Sequence, residues 1–165
     1  MEILKTAEQW AKDEVFSSKF FMLFGFMFVM ATIGFWNLGK TDVAKAFIYP
    51  TLVAGILLII IGAGLFYTNK TRLSTFESAY QENSSAFVKS EISRAEKTVK
   101  EYKTIVFKAI PVIIVLAALM IAFIDIPVWR VIAITTIALM VCIIFVDSDA
   151  LSRMEAYHTY LISNT

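Results

Sequence analysis

One histidine and one cysteine are all that this chain has for soft-ligand or nucleophilic chemistry. His158 stands three residues after Glu155. An i,i+3 Glu–His pair on a helix points both side chains the same way, which is the spacing that di-iron sites in helical bundles use. Such a centre needs two of these pairs and further glutamates, and a chain with one histidine cannot supply them. Asp147-Ser148-Asp149 brings two carboxylates together, but the same triplet also suits a helix start at a membrane surface. Cys142 sits inside an apolar run with no base beside it to activate the thiol. It can close no disulfide within the chain and build no thiolate cluster. No phosphate-cradling glycine loop, zinc spacing or dinucleotide fingerprint occurs. The expectation is a non-enzymatic protein with no catalytic residues, no metal and no cofactor.

The elements that would have to position any chemistry are four apolar stretches without a charged residue: Phe20–Trp36, Phe47–Tyr67, Ala109–Ile124 and Val131–Val146. A hydrocarbon core of about 30 Å takes about 17–25 helical residues to cross. The first two stretches meet that length as they stand. Ile105, Val106 and Phe107 extend the third, with Lys108 snorkelling to the headgroups, and Pro127–Arg130 extend the fourth. Of the 165 residues, 58% are hydrophobic, against about 45–50% in soluble domains, and the excess falls in these blocks. Backbone groups cannot stay unpaired in lipid, so each stretch is expected to be a helix. The fold class is an all-α membrane protein with four transmembrane helices. Glu2, Glu8, Asp13 and Glu14 precede the first run, which does not read as a cleaved signal peptide.

The basic residues give an orientation. Lys5, Lys12, Lys19, the eight Lys and Arg of segment 68–108, and Arg153 fall on one side. Lys40, Lys45 and Arg130 fall on the other. Twelve against three places both termini in the cytoplasm, and a bacterial inner membrane is the expected location. The organisation is then a cytoplasmic amphipathic helix over 1–19, transmembrane helices 1 and 2 over 20–67, a cytoplasmic helical hairpin over 68–108, transmembrane helices 3 and 4 over 109–146, and a cytoplasmic helix over 147–165.

Within the hairpin, Val88, Ile92, Ala95, Val99, Tyr102 and Val106 are spaced 4, 3, 4, 3, 4, a heptad seam. It can pack against the protein's own terminal helices or pair with a second chain, and both readings are open. Glu91, Arg94, Glu96, Lys97, Lys100, Glu101 and Lys103 flank it. One helix is expected from about Ala86 to about Ile124, disturbed near Pro111, with Ser84 or Ser85 as its cap. Ser74 and Glu77 have capping-box spacing, so a break is expected near Lys70–Ser74. Asp147, Ser148 or Asp149 is expected to start the last helix. In the spans, Thr51 with Gly55, Gly55 with Gly62, Ala118 with Ala122, and Ala138 with Cys142 put small residues on shared faces, where helices approach closely in lipid.

The spans hold no Asp, Glu, Lys, Arg or His, which weighs against ion-coupled transport. The mixed charge of segment 68–108 suits docking to anionic lipid and not nucleic acid. Four short spans with both termini inside resemble the layout of colicin-type immunity proteins, and that resemblance implies recognition of a membrane-targeting toxin through spans and outer loops. The leading expectation is an interaction or assembly module. Its cytoplasmic helical stalk would bind the protein itself or another protein, with membrane lipid as the remaining partner. An immunity-type protein and an oligomeric channel are the alternatives.

Overall fold

The computed structural model describes residues 2–164, and all regular structure among them is helical. Helix α1 runs Glu2–Leu38, the short α2 Asp42–Ala46, and α3 Ile48–Glu82. Helix α4, Ser84–Glu101, passes through a π-helical segment, Tyr102–Ala109, into α5, Ile110–Phe123, and α6 closes the chain over Pro127–Ser163. The result is an elongated four-helix bundle. Each of its rods is long and apolar enough to cross a membrane and continues beyond its apolar segment. Large side chains point outward along the apolar half, among them Met30 at 65%, Phe145 at 67% and Phe123 at 81% exposed. A surface of this kind belongs in lipid, since soluble monomers rarely leave large contiguous apolar patches bare. The chain is an integral membrane protein.

The bundle has two cores. In the apolar half, Phe21, Ala54, Leu58, Leu139 and Val146 pack together. In the polar half, Ala7, Trp10, Ala11, Phe76, Phe87, Val88, Ala95, Met154, Tyr157 and Leu161 form a second cluster. Helices α1 and α3 lie against each other along much of their length, and α6 touches α1, α3, α4 and α5. Helices α3 and α5 barely meet, so the bundle is open between its second and third rods through the apolar half. The α1–α3 contact is close because Gly25, Gly55 and Gly62 are buried in it. The Thr32 and Thr51 hydroxyls lie 2.8 Å apart across it, each also bonded to a carbonyl of its own helix.

Three local expectations need correction. Helix α3 has no break at Lys70–Ser74: the Ser74 hydroxyl donates to the Thr71 carbonyl at 2.7 Å, a bond made within a continuing helix. Asn83, not Ser84 or Ser85, caps α4. Its backbone is extended and its Oδ1 accepts from the Ala86 N–H at 2.9 Å, and asparagine caps at least as well as serine. Asp147, Ser148 and Asp149 start no helix, since α6 passes through them unbroken. The third rod, by contrast, runs through Pro111 as one helix with its disturbance close by, as expected. The wide turn just before it, in which the Ile110 N–H reaches the Ile105 carbonyl, makes room for a ring that would otherwise clash one turn back.

Candidate functional site

Polar side chains collect inside the bundle where the helices leave the apolar half. Glu91 is buried on α4, three residues after buried Val88 and four before buried Ala95, so the seam's own face carries it inward. Its carboxylate accepts from both ends of the Arg94 fork, with Nε to Oε1 at 2.8 Å, and from the Tyr157 hydroxyl at 2.9 Å. The Arg94 guanidinium lies over Trp10, 4.2 Å from the ring centroid, and Trp10 stacks on Tyr157 at 5.5 Å. Charge-assisted bonds and a cation over an indole compensate for drawing these groups out of water. Burial and the Glu91 carboxylate hold the Tyr157 phenol well above its usual range.

A second group sits beside it. Glu14 on α1 is buried and accepts from Arg153 of α6 at 3.0 and 3.2 Å, while Arg153 also donates to Ser17 at 2.7 Å. Burial raises the Glu14 carboxyl, and Arg153 opposes that rise. Asp147 on α6 is buried as well, 8% exposed, with Glu14 and Tyr102 in its field. Its burial, with Glu14 adding to it, pushes its carboxyl up from 3.8 to about 7.

That shift has a consequence for stability. A carboxyl raised on folding favours the folded state fully below its unfolded pKa and loses that contribution as pH rises through the folded value. From 3.8 to about 7 this amounts to at most about 4 kcal/mol, reduced by whatever water reaches the group. We expect Asp147→Asn to melt above the parent chain at pH 8.5, with the gap closing towards pH 4. Thermal unfolding of the full chain in detergent across that range measures it, and parallel curves would contradict the assignment.

Between α1, α3, α4, the π segment and α6 lies a cavity of about 320 Å³, lined by Trp10, Glu14, Leu65, Thr68, Asn69, Arg72, Arg94, Thr98, Glu101, Tyr102, Ile105, Val106 and Met154. Asn69 is 3% exposed and accepts from Arg72 at 2.8 Å. Arg72 has no carboxylate within ion-pair distance among the described residues.

The heptad seam faces this interior. Val88, Ala95 and Val106 are buried, and Ile92, Val99 and Tyr102 are half-buried. The seam packs against the chain's own α1, α3 and α6 side chains, so it is not a surface open to a partner. Thr51, Gly55 and Gly62 are buried against α1. Ala118 and Ala122 do not sit at a helix interface. Both are exposed, and Ala117 takes the packed place, because α5 meets its neighbours through the face carrying Ile110 and Ala117. Ala138 is half-buried, and Cys142 packs beside the apolar core. Glu155 is held by Lys103 at 2.6 Å. No three His, Cys, Asp or Glu gather closely enough to hold a metal among the described residues.

Sequence reasoning passed over Asn69, Arg72, Glu14 and Arg153, and treated Glu91 and Arg94 as flanking charges. The signal was their register: Glu14 follows Trp10 by four and Ala11 by three, as Glu91 follows Val88 by three. The chain matches no protein-family model, no curated protein and no solved structure.

Proposed function

We propose that the chain is a non-enzymatic membrane interaction protein that holds a partner, itself or another protein, on the outside of a rigid stalk projecting into the cytoplasm. The observation that carries this reading is the second core. It fixes all four rods to one another beyond the apolar half, through Trp10, Phe76, Phe87, Val88, Ala95, Met154 and Tyr157. The 18 residues of α4 extend this stalk by about 27 Å at 1.5 Å per residue. With the seam turned inward, recognition falls to the outward faces. On α4 these carry Lys89, Ser93, Glu96, Lys97 and Lys100, all exposed. The basic excess on the stalk side supports its cytoplasmic placement.

A photo-crosslinker at Lys97, whose side chain is 78% exposed, tests the reading in native membranes. We expect a discrete adduct there and no disulfide dimer from Val99→Cys under oxidation. Absence of adducts along the outward face of α4 would contradict the interaction role. A Val99→Cys dimer would move recognition back to the seam.

A further inference from the structure

We propose that the cavity between α3 and the π segment is a binding site for a phosphate-type oxyanion, supplied by the headgroup of an anionic phospholipid in the adjacent leaflet. Three observations converge on it.

The first is the donor set. Asn69 is almost wholly buried; its Oδ1 accepts from Arg72, and its amide N–H groups have no acceptor among the described residues at the cavity wall. Exposed Thr68 and half-buried Tyr102 line the same space, and neither hydroxyl makes a hydrogen bond among the described residues. The Asn69 amide opens onto the cavity, and an oxyanion there can accept from it and from both hydroxyls at once.

The second is charge. The carboxylates at the cavity are already engaged elsewhere: Glu14 by Arg153, and Glu101 by Lys97 at 3.8 Å on the exposed side. Arg94 is held by Glu91. Arg72 donates to the Asn69 amide oxygen, lies 5.9 Å from the Trp10 ring centroid and has a second guanidinium as its neighbour. Burial and the Arg94 charge both weaken its hold on its proton, and the more distant Glu91 and Glu14 carboxylates offset this only in part. An arginine fork facing a space lined by donors is suited to a phosphate, which it can grip with two parallel bonds.

The third is depth. Leu65 and Thr68 lie at the end of the apolar segment of α3, and Ile105 and Val106 lie just before Lys108, where the third apolar segment begins. The cavity therefore sits at the level of the lipid phosphates. Directly beyond it the second and third rods part, with α3 staying on α1 and α5 on α6. Acyl chains can follow that opening past Leu65 and the exposed Ile105 while the headgroup stays with Arg72. A volume of about 320 Å³ is at the small end of the roughly 300–1,000 Å³ of ligand sites, which suits a headgroup and not a whole lipid.

The test uses the full chain in a mild, uncharged detergent, with native mass spectrometry and thermal unfolding as readouts. Phosphatidylglycerol is added in one arm and phosphatidylcholine in a second. Inorganic phosphate and glycerol 3-phosphate form a third. We expect one phosphatidylglycerol retained per chain with a raised melting point, at least tenfold tighter than phosphatidylcholine, and no comparable effect of the soluble phosphates. Arg72→Gln should weaken retention about tenfold, whereas Lys70→Gln, the removal of an exposed neighbouring charge, should leave it unchanged. Tyr102→Phe removes one donor, keeps the ring and should weaken retention about threefold. It decides the matter if Arg72→Gln does not fold. Equal retention of both lipids, or equal losses from Arg72→Gln and Lys70→Gln, would overturn the site. Soluble phosphate acting as strongly as the lipid would overturn the lipid as its source.

Discussion

Gly55→Leu is expected to pull α1 and α3 apart and to cost the folded chain about 3 kcal/mol or more, the upper range for overpacking a close contact. A Cβ at Gly55 would lie 2.9 Å from the Gly25 carbonyl oxygen, 2.9 Å from Val29 Cγ2 and 3.1 Å from the Val29 nitrogen. Two of these three atoms are backbone, and a helix backbone cannot step aside as a flexible side chain can. The closeness is mutual, since a Cβ at Gly25 would stand 2.8 Å from the Gly55 oxygen. In lipid there is little hydrophobic gain from pressing apolar helices together, so close backbone approach and the Thr32–Thr51 bond are what hold this pair. Gly64, about two and a half turns further along α3, meets nothing within 4 Å. Gly64→Leu is therefore the matched control and should unfold like the parent. Denaturant titration in mixed micelles measures both, and a Gly55→Leu curve that overlays the parent would show that the two helices are not in contact.

Glu91→Ala should be nearly as damaging, at about 3 kcal/mol, because removing one partner of a buried ion pair strands the other. It would leave the Arg94 fork, 19% exposed, without its carboxylate. It would also leave the Tyr157 hydroxyl without its acceptor, beneath a stacked Trp10. Glu96→Ala on the exposed side of the same helix should change stability by no more than about 0.5 kcal/mol. Replacing the pair together, Glu91→Met with Arg94→Met, should recover part of the loss, since an apolar pair of similar volume needs no partner. Circular dichroism melts of the three variants and the parent measure the series. Equal melts for Glu91→Ala and Glu96→Ala would place Glu91 in solvent.

The rods were legible in the sequence because length without charge is a strong signal, and their polar extensions were legible because Val88, Ala95 and Val106 keep step over several turns. Within the apolar segments the faces were not. A helix that is apolar all round gives no contrast between its lipid side and its packed side, which is why Ala118 and Ala122 read as interface residues while Ala117 is the one covered. Gly55 was legible as a close-approach residue, but its counterpart Gly25 was not, because pairing between helices leaves no mark on the spacing within either one. Capping residues misled in the opposite direction. Ser74 and Asp147 can end or begin a helix when little else decides, but here the packing of α3 and of α6 along α1 carries each helix through them. The polar cluster was missed because charges on an amphipathic helix are read as solvated by default, even where their register, as with Glu91 between Val88 and Ala95, sets them on the buried side.

The account rests on four rods that cross the bilayer, with the stalk on one side and the α1–α2 and α5–α6 connections on the other. Single-cysteine labelling in a Cys142→Ala background tests this directly. It needs a membrane-impermeant maleimide, sealed vesicles of known orientation, and probes at exposed Glu96 and exposed Lys40. Labelling at Glu96→Cys from the cytoplasmic face only, and at Lys40→Cys from the opposite face only, is the expected result. Labelling of both from the same face, or recovery of the chain in the soluble fraction without detergent, would contradict it.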